Sequence, residues 1–298
     1  MTIRPFFIKA KKLICDIYYL FKPNTIFVYA YMFRNDNGYV NHNWGDDINI
    51  FFLEEITNLR VKVFNRSRVF PRIVRKVYCC IGSILDGCYG KKLEIWGSGF
   101  ISETGHIQVM PHRVYSVRGP LTRQKLLDQG IDCPAVYGDP ALLISKYYHP
   151  IVEKKYKYGI VPHYVDEANP IIQSFRSRDD VLLISMSNYH DWHEIPDAIC
   201  SCEMIISSSL HGLIVSDSYG IPNRWVRFSD KLDGGNFKFH DYFQSIHRSV
   251  QNPKIIDSTQ ELETILNDTP MYDCANNIDF KAIHEACPFK KHMHSFVY

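Results

Sequence analysis

Two kinds of hydrophobic pattern alternate along the chain. Short, nearly unbroken apolar runs of strand length occur at 25–31, 93–96, 114–117, 135–137, 158–161, 181–185, 203–206 and 224–228. Between them, apolar positions recur every three to four residues, the spacing of one helix face. Leu13, Ile14, Ile17, Leu20 and Phe21 follow that period within 3–21. Further helices are predicted over 48–56, with Asp46 and Asp47 at its start, over 120–127, opened by Pro120, over 195–202 and 210–219, and in the tail over 259–267 and 279–287. Strands alternating with helices predict an α/β protein with parallel sheets. The pattern breaks around His149-Pro150 and then restarts. Two domains are therefore expected, 1–150 and 151–298, the second with a helical tail. Each is expected to be Rossmann-like, with the two parallel sheets facing one cleft.

Composition narrows the function classes. With 46% hydrophobic and 22% charged residues the chain can bury a sizeable core. A net charge of +2 supplies no bulk field for nucleic acid, and no nucleic-acid partner is expected. The nine cysteines are odd in number and include no CxxC pair. They read as free thiols of a reducing compartment, not as a zinc site or a disulfide framework. No run approaches the roughly 18 apolar residues of a membrane span. Lys9, Lys11 and Lys12 before an apolar stretch imitate a signal peptide, but Asp16 interrupts the stretch and Lys22-Pro23 stand where a small-residue cleavage site belongs. A cytoplasmic protein is expected. From Arg60 to Lys76, Lys62, Arg66, Arg68, Arg72 and Arg75 are interleaved with apolar residues and no acid. That segment reads either as a solvated face over a core helix or as a surface for an anionic bilayer, and the basic N-terminal helix allows the same second reading.

Several polar clusters fall where strands end, which is where open parallel sheets collect ligands. Asn43-Trp44-Gly45-Asp46-Asp47 offers a carboxylate as general base for a sugar hydroxyl, or simply a capped helix start with first-turn acids. Arg118 follows a strand, placed either to grip a carboxylate or phosphate or to form an ordinary ion pair. Gly138-Asp139-Pro140 reads mainly as a turn. Ser207-Ser208-Ser209-Leu210-His211-Gly212 sets hydroxyls, unpaired backbone N–H groups and an imidazole at a helix start. That is an anion site with a proton donor, or a serine cap beside a buried histidine. His163, after Pro162, is a second candidate acid. Gly97-Ser98-Gly99 lacks the full dinucleotide fingerprint.

Taken in order, these pieces resemble the polysaccharide pyruvyl transferase family. The resemblance rests on residues 43–49, 96–99, 116–119 and 137–140, and on 208–212 followed by Gly220-Ile221-Pro222. Residues 160–164 and 238–242 are similar to the branch acting on bacterial exopolysaccharides. The resemblance implies a fold like the two-domain GT-B glycosyltransferases, with phosphoenolpyruvate as donor; no other cofactor is expected, and no metal, since the sequence shows no convincing ligand set. It implies that Arg118 and the turn of Ser208, Ser209, Leu210, His211 and Gly212 hold the donor. It also implies that the loop of Asn43, Trp44 and Asp47 meets the acceptor. Pyruvyl transfer then needs an acid, His211 or His163, and a base, Asp46 or Asp47. Family members often carry arginine where Ser209 stands, and Lys238 or Arg227 is a candidate replacement. The expected acceptor is a polysaccharide or its lipid-linked oligosaccharide at the inner face of the membrane, with galactose bridged at O4 and O6 as the family's suggestion. A GT-B glycosyltransferase using a nucleotide sugar and a non-catalytic scaffold of glycan assembly are the alternatives.

Overall fold

A computed structural model describes residues 4–31, 34–35, 38–39, 43–67, 69–249, 252–267 and 278–294. Arg68, named above, and Cys274, one of the nine cysteines, lie outside the described residues. After helix α1 (Arg4–Phe21), five strands form a first sheet: β1 (Thr25–Val28), β2 (Arg60–Val63), β3 (Lys76–Cys79), β4 (Lys92–Trp96) and β5 (Arg113–Ser116). A second sheet follows: β6 (Tyr156–Val161), β7 (Val181–Leu183), β8 (Cys202–Ser207), β9 (Asn223–Arg227) and β10 (Lys254–Ile255). Every pairing in both is parallel. The helices that matter for the site are α2 (Trp44–Thr57), α3 (Pro120–Asp128), α4 (Glu194–Cys200), α5 (Leu210–Ser218) and α6 (Phe237–Ser245). The chain ends with α7 (Thr259–Asn267) and α8 (Phe280–Glu285).

Most of the expected elements are present. The region 60–76 departs from a single basic helix. Arg60 is exposed, Val61 buried, Lys62 half-buried and Val63 buried, which is the two-residue period of a strand. Pro71 then confines the helix that follows to Phe70–Ile73, and Lys76–Cys79 becomes a central strand. The run at 135–137 shrinks to one bridge, Val117 to Tyr137, because Gly138 turns the chain away at a φ of +132°. Cys79 and Cys88 are joined by a disulfide, against the expectation of free thiols. The 3-10 turn Leu85–Gly87 carries the chain back over the end of β3, a proximity that their spacing does not advertise. Cys15, Cys80, Cys133, Cys200, Cys202 and Cys287 are free.

The strand orders are β2-β1-β3-β4-β5 and β7-β6-β8-β9-β10. Each sheet thus has its second strand outside its first and its later strands on the other side. Chain connections diverge between the first and third strands, leaving a crevice at their carboxyl ends. The first crevice lies between β1 and β3, the second between β6 and β8. One apolar core runs through both halves, from Trp44 and Phe52 to Leu213 and Phe239. The Trp44 indole donates to the Trp192 carbonyl at 2.7 Å, and Trp96 donates to the carbonyl of Ile283 on α8 at 3.0 Å. Phe289 stacks edge-on against Tyr78 at 4.5 Å, so the segment after α8 returns to the first sheet. Among the described residues no helix is long and apolar enough to cross a membrane.

Candidate active site

The loops leaving both crevices line one cavity of about 360 Å³. From the first half come Tyr31, Asn43, Asp46 and the Gly82-Ser83 turn. The second half contributes His163, Tyr164, Ser209, Leu210, His211 and Lys238. Sequences more than a hundred residues apart therefore meet: most of them follow the carboxyl end of a switch-point strand, and Lys238 comes from the helix after β9.

The glycine of the Asn43–Asp47 cluster has a specific task. A β-carbon at Gly45 would lie 1.9 Å from Nδ1 of His211. The bare backbone of α2's first turn is thus the platform on which the imidazole rests. Nε2 of His211 stands 3.9 Å from Oδ2 of buried Asp139 and has no hydrogen-bond partner among the described residues. Nδ1 of His163 is likewise buried without one. Burial lowers both imidazoles to about 3, helped by the positive charge of Lys238 and, for His211, of Arg118, so both rings are neutral at pH 7.

The two acids of the cluster part company. Asp46 lines the cavity and accepts a hydrogen bond from Asn43 Nδ2 at 2.7 Å. Burial and the neighbouring Asp47 carboxylate push it up to about 7. Asp47 is buried, accepts the hydroxyl of Tyr189 and does not line the cavity. Asp139 is also raised, to about 6, by burial, although the N–H groups of Ala141 and Gly82 donate to it.

Other expected site residues take structural places. Trp44 is wholly buried in the core and does not reach the cavity. Gly212 faces the Ser207 hydroxyl and Val161, where a β-carbon would come within 2.4 Å, so its bareness serves helix-on-strand packing. Ser208 spends its hydroxyl accepting from the His163 N–H at 2.8 Å, which ties the two crevice loops together. Arg118 is wholly buried: Nε donates to Asp241 at 2.9 Å, Nη2 to the Phe100 carbonyl at 2.6 Å and Nη1 to the Ser83 hydroxyl. It grips the protein, and only its charge reaches the cavity. Of the candidate cations, Lys238 lines the wall, whereas Arg227 pairs with Asp230 at 2.7 Å outside it. Burial and Arg118 bring Lys238 down to about 8, against the pull of Asp233 and Asp46.

Tyr31, Gly82, Ser83, Lys231 and Asp233 also line the cavity and had not been anticipated. The Gly82-Ser83 turn becomes visible once β3 is recognised as a strand, since it lies in the loop leaving the third strand of its sheet, as Ser208-Ser209 do after β8. The others carry no sequence signal of their own.

The polysaccharide pyruvyl transferase family profile matches residues 96–230, spanning Arg118, Asp139, His163 and the Ser208–Gly212 turn. The uncharacterized protein L143 of Acanthamoeba polyphaga mimivirus is 32% identical over 206 residues, covering 67% of this chain and 69% of that protein. The succinoglycan biosynthesis protein ExoV of Rhizobium meliloti (strain 1021) is 24% identical over 224 residues, 73% of this chain and 66% of that protein. The chain belongs to the polysaccharide pyruvyl transferase family, and is thus an enzyme of pyruvyl transfer in polysaccharide biosynthesis. Asn43, Asp46 and Lys238 lie outside the matched span; the cavity itself joins them to it.

Gly45→Ala tests the platform. In an ordinary helix the change is stabilising by roughly 1 kcal/mol. Here it is expected to leave the circular dichroism unchanged while displacing His211 and lowering turnover by roughly 10²-fold. Full activity in this variant would show that the imidazole need not rest on α2.

Proposed function

We propose that the cavity binds phosphoenolpyruvate and transfers its pyruvyl group to two hydroxyls of one sugar, releasing phosphate. The observation that carries this reading is the meeting of an anion-binding end with a proton-exchanging pair. The start of α5 at Ser209–His211 presents first-turn N–H groups and the positive end of the helix dipole, and Lys238 adds a cation. Lys238 thereby takes the place of the family arginine at Ser209. The phosphate and carboxylate of the donor belong at this end.

Ketal formation makes two C–O bonds to one carbon. A proton goes to the donor's methylene carbon, which becomes the methyl group, and the central carbon turns electrophilic. One sugar hydroxyl adds there and gives up its proton. The bond to phosphate then breaks, and a second hydroxyl closes the ring and loses its own proton. One of the two released protons replaces that given to the methylene, and the other leaves with phosphate. Asp46 holds a proton more tightly than His211 does, because burial favours the neutral form of each. Groups whose proton affinities are pushed apart in this way divide into acid and base. Asp46 is therefore assigned the acid and the unpartnered Nε2 of His211 the base, the reverse of the allocation suggested by the sequence. His163 stands behind them as a second neutral acceptor.

The acceptor is proposed to be a lipid-linked oligosaccharide at the cytoplasmic face of the membrane, with galactose as the modified sugar. Support for a membrane setting comes from α1, where Leu13, Ile14, Ile17, Tyr18 and Phe21 share one face and are between 42% and 82% exposed. Ile73 is 55% exposed between Arg72 and Arg75, and a groove lined by Leu20, Ile73, Arg75 and Lys76 joins the two patches. An apolar stripe with adjoining cations, and with the one acid of α1, Asp16, half-buried against Ser67, suits an anionic bilayer.

Two measurements follow. Asp46 holds its proton below pH 7 and Lys238 its charge below about pH 8. Phosphate release from phosphoenolpyruvate is therefore expected to hold its kcat/KM at mildly acidic pH and to fall as pH rises through 7 and 8, with Asp46→Asn inactive. A profile that climbs over the same interval would make Asp46 the base. In flotation with vesicles containing phosphatidylglycerol, the protein is expected to rise with the lipid at low salt, and Ile14→Glu with Phe21→Glu to stay behind. Wild-type protein remaining at the bottom would remove the membrane proposal and leave the cavity chemistry untouched.

A further inference from the structure

The cavity is not uniform. Lys238 and the start of α5 make one side cationic, yet two large tyrosine rings, Tyr31 and Tyr164, also line it and stay 38% and 42% exposed. They occupy equivalent places in the two sheets. Tyr31 stands three residues after β1 ends at Val28, and Tyr164 three residues after β6 ends at Val161. Each belongs to the loop leaving the first strand of its sheet, beside the crevice.

Both rings are held from behind. Tyr31 meets Tyr29 edge-on at 5.9 Å, and its hydroxyl lies over Gly87, where a β-carbon would come within 2.4 Å of it. Tyr164 lies against the His163 ring at 4.4 Å. The Asp46 carboxylate lines the same cavity as both rings and Lys238.

The chemistry of the two sides differs. An aromatic face carries negative charge density and disfavours an anion such as the donor. A pyranose instead presents a flat patch of C–H groups to a ring and a rim of hydroxyls to nearby carboxylates. We infer that Tyr31 and Tyr164 form the acceptor subsite, one aromatic platform from each half, holding a pyranose so that its hydroxyls meet Asp46. The inference rests on the pyruvyl-transfer reading for which sugar is productive, but not for the existence of the subsite.

The test uses methyl β-D-galactopyranoside and methyl β-D-glucopyranoside as probes in saturation-transfer NMR. Phosphoenolpyruvate affinity is measured by calorimetry on the same samples. Wild-type enzyme is expected to transfer saturation to the ring C–H protons of at least one probe. Tyr31→Ala and Tyr164→Ala are each expected to weaken sugar binding by about 5- to 10-fold, and the phenylalanine variants to stay within about 2-fold, because the ring faces and not the hydroxyls make the contact. Donor affinity is expected to be unchanged in all four variants. The inference is overturned if the alanine variants bind sugar as wild type does, if they lose donor affinity in step with sugar affinity, or if wild type contacts neither probe. Should sugar binding follow the tyrosines while phosphoenolpyruvate fails to bind at all, the donor assignment falls and the subsite stands.

Discussion

One buried ion pair joins the two halves where they face each other. The Arg118 guanidinium, at the end of the first sheet, meets the Asp241 carboxylate on α6 at 2.9 Å with both side chains fully out of solvent. Asp241 also accepts the Thr122 N–H at 2.8 Å and the Thr122 hydroxyl at 2.7 Å, so the start of α3 is tied to α6 at two points and Arg118 just before it at a third. Neighbouring backbone has to come close. A β-carbon at Gly119 would lie 1.9 Å from the Asp241 carbonyl, and one at Gly99 2.5 Å from the Arg118 guanidinium carbon. Removing one member of a buried pair typically costs about 3–5 kcal/mol, because the other charge is left unpaired.

This fastening shapes the chemistry beside it. Lys238 sits one turn before Asp241 on α6, so the contact that docks the helix also delivers the ammonium to the cavity wall. Arg118 reaches Ser83 on one side and, through its charge, lowers the proton affinity of His211 and Lys238 on the other. A neutral imidazole and an amine near 8 result from burial beside this fixed positive charge, whereas burial and the Asp47 carboxylate bring Asp46 up to about 7. The site is thus tuned by a residue that does not line it.

Much of the fold was legible in the chain. Strand-length runs such as 158–161 and helical periods such as 259–267 are local signals, and the structure repeats them. The strands β2 and β3 were hidden because four residues that begin with an exposed lysine or arginine look like part of a basic helix until their partners are known. The site was legible in part. His211, His163, Asn43, Asp46, Ser209, Leu210 and Lys238 do converge, since each follows a strand end or opens a helix. Arg118, Trp44, Asp47 and Gly212 share those sequence positions and yet point into the protein. A motif specifies that a residue stands at the rim of a sheet. Which way its side chain turns depends on partners such as Asp241 and Tyr189, more than a hundred residues away.

The dependence of the cavity on the buried pair is open to direct measurement by calorimetric titration of Asp241→Asn with phosphoenolpyruvate. This substitution keeps the side chain's size and removes its charge, at a position that does not line the cavity. Affinity at least about 10-fold weaker than wild type, in protein that still shows its native circular dichroism, is the expected result. Unchanged affinity would mean that the two halves find their places without the Arg118–Asp241 contact.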